Sequence, residues 1–205
     1  MTKGPIPRKA VYRLSVYYRC LQKLKANKVA TVSSAALAKV AGVKPPQLRK
    51  DLTYFGQFGT RGLGYDVEAL SKKLTEVLGT ARLQPVVLVG AGHLGAALVR
   101  YQGFAREGFE VVGAFDLEPK KRPQIGGVSV YPMSQLREFI RTKIVKVAIL
   151  TVPGTAAQEV ANELVAAGIQ AILNFAPQIL QVPDGVVVNN VDLAIELENL
   201  GYFIQ

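Results

Sequence analysis

The sequence predicts an α/β protein: an N-terminal winged helix-turn-helix unit, a doubly wound parallel sheet of Rossmann type, and a single C-terminal helix. Three observations carry that expectation. The apolar run from Val86 to Val89 leads straight into Gly90, Ala91, Gly92, His93, Leu94 and Gly95, a G-x-G-x-x-G turn that opens a helix. Beyond it, near-continuous apolar segments alternate with helix-spaced ones, as in a parallel sheet covered on both faces. The charge is also divided: residues 1–80 carry 15 Lys/Arg against 4 Asp/Glu, whereas residues 81–205 carry 10 against 11. A solvated basic face needs no such segregation, but a unit that meets a polyanion does.

Residues 9–25 read as a helix with the apolar stripe Val11, Leu14, Tyr18, Leu21 and Leu24. Ser33 or Ser34 caps a second helix over 35–40, which Gly42 ends. Pro45 and Pro46 suit the first turn of a third helix over 47–54. Leu48, Leu52 and Phe55 share the face expected to be buried, while Gln47, Lys50 and Tyr54 share another, flanked by Lys44 and Arg49. Two short helices across a glycine-containing turn make a helix-turn-helix pattern. Gly56, Gly59, Gly62 and Gly64 then surround Arg61, a poor core but a good hairpin tip or wing. In such a unit Lys44, Pro46, Gln47, Arg49, Lys50 and Tyr54 face the major groove. Arg61 reaches the minor groove, whose negative potential attracts arginine.

Residues 66–78 read as an amphipathic helix and 79–85 as a linker. Strands are expected at 85–89, 110–115, 145–152, 170–175 and 186–189, with helices at 93–107, 133–143 and 155–167. Asp192 caps a last amphipathic helix. The domains so implied are 1–80, 81–190 and 191–205.

The glycine turn suits a pyrophosphate. Its first glycine permits the tight turn, the second lets backbone approach the phosphates, and the third lets helix and strand pack. The anion would sit on the free N–H groups of the helix N-terminus. Asp116, at the end of the second strand, stands where the fold holds an adenine ribose and repels a 2′-phosphate, which favours NAD over NADP. Lys120, Lys121 and Arg122 follow in what reads as a solvated loop. The nicotinamide is expected near Thr151, Val152 and Pro153 and near Asn174 and Phe175, a lining that reads as apolar and free of carboxylates. Without a partner for the charged oxidised ring, such a lining favours the reduced form.

Catalytic equipment is sparse. The one histidine, His93, lies in the glycine turn itself, and one cysteine with one histidine cannot build a zinc site. No G-x-S-x-G motif is present, and the extra unit is the basic one rather than a substrate domain. The expectation is a sensor rather than an enzyme. The alternatives are an NAD-dependent dehydrogenase with a basic accessory domain and a coenzyme A-binding regulator. Cys20 alone excludes an intrachain disulfide and reads as a small core residue. With neither a signal peptide nor a run as long as a membrane span, a soluble protein of the reducing cytoplasm is expected.

The whole length resembles the Rex family of redox-sensing transcriptional repressors. The resemblance rests on Arg13-Leu-Ser-Val-Tyr-Tyr-Arg19, Leu48-Arg-Lys-Asp-Leu-Thr-Tyr-Phe-Gly56, Arg61-Gly-Leu-Gly-Tyr65 and Gly90-Ala-Gly-His-Leu-Gly95, followed by Ala148-Ile-Leu-Thr-Val-Pro153, Ile172-Leu-Asn-Phe175 and Asn190-Val-Asp-Leu-Ala194. It implies a homodimer that binds a palindromic operator and leaves it when NADH accumulates. It further implies a terminal helix exchanged between subunits, with Tyr202 or Phe203 closing the partner's nicotinamide pocket. By the same resemblance Arg13, Tyr101 and Asp192 belong to a polar interface between the DNA-binding and nucleotide domains.

Overall fold

The computed structural model describes residues 6–59 and 63–204. The chain divides into two compact units, Met1–Arg82 and Leu83–Gln205.

The first unit begins with α1 (Arg8–Ala26), followed by β1 (Thr31–Val32), α2 (Ser34–Val40) and α3 (Pro45–Thr53). β2 (Tyr65–Asp66) and α4 (Val67–Leu78) complete it. Ser33 caps α2 by accepting from the Ala36 N–H at 3.0 Å, and Gly42 takes φ +68° just after it. The core is Leu14, Tyr17, Leu21, Leu37, Leu48, Leu52, Leu70 and Leu74 with their neighbours. Cys20 is buried in it.

The α1 stripe is rotated from the expected one. Ala10, Leu14, Tyr17, Cys20 and Leu21 are buried, while Val11 is exposed and Tyr18 and Leu24 are half-buried. Tyr17 turns inward because its hydroxyl has a partner in the core, the carboxylate of Asp51. Phe55 is half-buried, since α3 ends before it at Thr53.

The tip of the glycine run, residues 60–62, lies outside the described residues; on either side of it Gly59 approaches the Gly64 carbonyl so closely that a Cβ on Gly59 would collide with it. The run's return arm β2 pairs antiparallel with β1, Thr31 opposite Asp66 and Val32 opposite Tyr65. Gly64 sits at φ +84°, and a Cβ there would collide with the Val32 carbonyl. Arg61 lies outside the described residues.

The second unit is built on a seven-stranded sheet. In chain order it comprises β3 (Gln84–Val89), α5 (His93–Val99), α6 (Gly103–Arg106), β4 (Phe109–Asp116), β5 (Gln124–Ile125) and β6 (Val128–Pro132). It continues with α7 (Leu136–Lys143), β7 (Val147–Leu150), α8 (Gly154–Ala166), β8 (Ala171–Asn174), β9 (Val187–Asn190) and α9 (Leu193–Tyr202). The strand order is β5-β6-β4-β3-β7-β8-β9, parallel throughout except for the antiparallel β5–β6 pair. β3 is flanked by β4 on one side and β7 on the other. The winding reverses there, so a crevice opens at the strands' carboxyl ends.

Two departures from expectation have local causes. Residues 93–107 form two helices, because the chain breaks after Val99 and Gly103 packs under the Tyr101 ring, where a Cβ would collide. The β5–β6 hairpin was not expected. Gly126 and Gly127, at φ +53° and +89°, form the kind of tight turn that links antiparallel strands. Among the described residues no helix is long and apolar enough to cross a membrane.

Candidate dinucleotide cleft and nucleic-acid interface

The glycine turn leaves β3 at the winding reversal. Gly90 takes φ +103°, and a Cβ on it would fall 2.8 Å from the Thr151 backbone. The Thr151 hydroxyl donates to the Gly90 carbonyl at 2.8 Å, tying the turn to the end of β7. A Cβ on Gly95 would collide with the Gly90 carbonyl, so this glycine carries the strand–helix packing. Gly92 differs: a Cβ there would meet nothing within 4 Å. The middle glycine therefore faces open space, as close approach of a phosphate requires. His93 and Leu94 are exposed beside it.

Asp116 ends β4 and reaches back to this turn. Its Oδ2 accepts from the Ala91 N–H at 2.7 Å, and its Oδ1 from the Glu118 N–H at 2.9 Å. The carboxylate thus fixes the turn, while each oxygen keeps a lone pair for a further donor such as a ribose hydroxyl.

A cavity of about 320 Å³ opens beside them, bounded by Gly90, Gly92, Asp116, Thr151, Val152 and Pro153 among others. Glu159 and Glu163 of α8 also line it, two acids that the sequence reading did not place at this crevice. α8 starts at the strand end and turns both acids toward the crevice, an i, i+4 spacing visible in sequence but unassignable until the helix is docked.

Asn174, Phe175 and Phe203 are not brought to that cavity. Asn174 is fully buried, and its amide donates to the Gln178 carbonyl at 2.8 Å and to Asn190 Oδ1 at 2.9 Å, holding β8 to β9 and the following loop. Phe175 packs partly buried against the β3–β4 core. Phe203, 80% exposed, ends α9 with its ring edge-on to Tyr202. Asp192 caps α9, accepting from the Ala194 and Ile195 N–H groups, and Tyr101 stacks edge-on with Phe104.

In the first unit, Lys44, Pro46, Arg49 and Lys50 are exposed on α3 or at its cap, and Tyr54 is half-buried. Arg49 donates to the Ser34 hydroxyl at 3.1 Å, bridging α3 to the start of α2. Gln47 points the other way, donating to Asp51 at 2.8 Å.

Asp51, which sequence reasoning passed over, has no exposed surface. Arg13 grips it from α1 through Nε at 2.6 Å and Nη2 at 2.7 Å, and the Tyr17 hydroxyl donates at 2.7 Å. The available signal was an acid among Leu48, Leu52 and their neighbours with arginine and tyrosine one turn apart on α1. Burial pushes the Asp51 carboxyl up, but the hydrogen bonds from Arg13, Tyr17 and Gln47 outweigh it and hold it below the usual range. The Arg13 guanidinium, bonded to Asp51, is raised further still. Burial, with the Asp51 hydrogen bond, raises the Tyr17 phenol.

Similarity to known proteins divides along the same line. A family model for the N-terminus of putative DNA-binding proteins matches residues 5–53, and one for a CoA binding domain matches residues 82–178. A redox-sensing transcriptional repressor Rex from Pelotomaculum thermopropionicum is 47% identical over 96% of this chain and 93% of its own. The chain belongs to the Rex family. A second Rex repressor, from Carboxydothermus hydrogenoformans, is 46% identical over 98% of this chain and 97% of its own. Rex relatives carry the name of repressors, not of enzymes. Among solved structures, the repressor RSP in complex with β-NAD+ and operator DNA matches with TM-score 0.92 and 38% identity, over 98% of this chain and 94% of that one. RSP in complex with β-NADH matches with TM-score 0.87 and 36% identity, over 98% and 95%. Both units therefore have the Rex fold.

Proposed function

We propose that this chain is a cytoplasmic repressor that binds a palindromic operator as a homodimer and leaves it when NADH occupies the cleft, so that it responds to the NADH/NAD ratio. The observation that carries this reading is the joining, in one chain, of two sites. One is an open glycine turn pinned by Asp116; the other is a basic helix presenting Lys44, Arg49 and Lys50. The relatives bound to NAD+ with operator, and to NADH, match over nearly the whole chain, whereas the CoA binding description covers only residues 82–178.

The pyrophosphate lies on Gly90 to Gly95, the adenine ribose on Asp116, and the nicotinamide beyond Thr151, Val152 and Pro153 towards Asn174 and Phe175. Pro46 and Tyr54 join the lysines and Arg49 at the major groove, and Arg61 enters the minor groove; Gln47, engaged by Asp51, instead braces the helix from within. The functional domains are 1–80, 81–190 and an exchange helix over 191–205. That helix leaves Leu197, Leu200, Tyr202 and Phe203 exposed in the single chain. A second copy would cover them and bring Phe203 to its partner's nicotinamide. Arg13, Tyr101 and Asp192 serve the interface that switches.

A gel shift with operator DNA and NADH or NAD+ added separately tests the function, and fluorescence titration with NADH, NAD+ and coenzyme A tests the ligand. Release by NADH alone is expected. Release by neither dinucleotide, or binding of coenzyme A alone, overturns the reading.

A further inference from the structure

We infer that Glu159 and Glu163 read the exocyclic amine of the bound base and so give the cleft its preference for adenine over a 6-oxopurine. This rests on the NADH reading above. The cavity has two walls, one on each side of β3. Leu117 and Met133 line it from the ends of β4 and β6, and Val152 and Val160 line it from the end of β7 and from α8. With the pyrophosphate on the glycine turn and the ribose on Asp116, the base is left for the apolar slot between these walls, where its flat faces meet aliphatic side chains. Its edge then meets the two glutamates on the same wall as Val160.

Glu159 and Glu163 are one helical turn apart, both exposed at the cavity, and neither has a cation against it in the salt bridges among the described residues. An ionised carboxylate only accepts hydrogen bonds. The edge it faces must therefore donate. The 6-amino group of adenine supplies two N–H donors, whereas hypoxanthine puts an acceptor oxygen at that position and moves the donor of this edge to N1, so a carboxylate facing position 6 is repelled. An exposed carboxylate is rehydrated when the donor is missing, so the discrimination is modest and comes from the lost charge-assisted hydrogen bond and from repulsion by the acceptor in its place. Glutamine in place of glutamate changes this chemistry without changing shape, since its amide turns to donate or to accept.

The test is a fluorescence titration of the full chain with NADH and with reduced nicotinamide hypoxanthine dinucleotide, in wild type and in the Glu159→Gln/Glu163→Gln variant. The readout is the ratio of the two affinities, so a general loss of binding does not mimic the effect. We expect wild type to prefer NADH roughly tenfold and the variant to narrow that to about threefold or less. Both side chains are exposed, and surface exchanges of this kind leave stability nearly unchanged; each single variant gives an intermediate ratio. Equal wild-type affinities, or a double variant that keeps the full preference, overturn the inference. Wild type that binds neither dinucleotide overturns instead the NADH reading beneath it.

Discussion

At Asp51 four hydrogen bonds from three side chains meet one carboxylate with no exposed surface. Burying that charge is tolerable only because the Arg13 guanidinium is fitted against it and the remaining lone pairs are used. Removing Asp51 leaves the buried Tyr17 hydroxyl without its partner and the half-buried Arg13 guanidinium to water, so Asp51→Ala is expected to destabilise the N-terminal unit by about 1.5–3 kcal/mol. The sign of its pH dependence follows from the lowered Asp51 value. The contribution is complete above the unfolded carboxyl value of about 4 and is lost as pH falls through the lower folded one. Tyr17 is raised, so its share is complete below about pH 10 and is lost only above it. The melting temperature of Asp51→Asn, compared with wild type between pH 7 and pH 2, should show a gap that closes on the acid side. A gap of constant size would mean that the carboxylate's charge is not what stabilises the fold.

At the scale of elements, the turn between β3 and α5 separates packing from binding within three residues. Gly95 is closed in by the Gly90 carbonyl and by Leu88, so Gly95→Ala must push backbone apart and is expected to cost about 1–3 kcal/mol of stability along with NADH affinity. Gly92 faces open space, so Gly92→Ala should leave stability within about 0.5 kcal/mol while its methyl takes the room a pyrophosphate needs. Thermal melts and NADH titration of the two variants check the contrast. Equal NADH affinity in Gly92→Ala and wild type would remove the pyrophosphate from this turn. In the DNA-binding unit, α3 shows a comparable division of labour. Gln47 is turned inward to Asp51 and Arg49 leans on Ser34, which leaves Lys44 and Lys50 as the basic groups on α3 and its cap with no side-chain hydrogen bond or ion pair among the described residues.

For the molecule as a whole, a dimer reading two half-sites must hold its recognition helices about 34–36 Å apart or a multiple of it. A ligand that favours another spacing releases DNA without touching it. NADH does so only by binding the non-DNA arrangement more tightly, at tenfold per ~1.4 kcal/mol of difference. Linkage then makes operator DNA weaken NADH by the same factor. Phe203, exposed at the end of α9, is the side chain expected to carry that coupling to a second copy. NADH affinity measured with and without operator should differ in wild type, and the difference should shrink in Phe203→Ala while operator affinity in the absence of NADH changes less. Identical NADH affinities with and without operator in wild type would end the sensor proposal.

The sequence by itself determined the division into a basic unit and a nucleotide-fold unit, the glycine turn, the Asp116 that ends β4, the caps at the Ser33–Ser34 pair and at Asp192, and the parallel sheet. These are local or periodic features: a cap lies within three residues of the N–H it satisfies, and a buried strand shows in its own apolar run. The Gly126-Gly127 hairpin was equally local and was missed among the polar residues around it. Only the tertiary structure decided which face of α1 is buried, because Tyr17 finds Asp51 across 34 residues of chain. It also decided that Asn174 braces two strands rather than lining the cavity, and that Glu159 and Glu163 meet Asp116 at one crevice. Helical spacing fixes which residues share a face, but the element that packs against the helix fixes which way that face points, and that choice is made by partners distant in sequence.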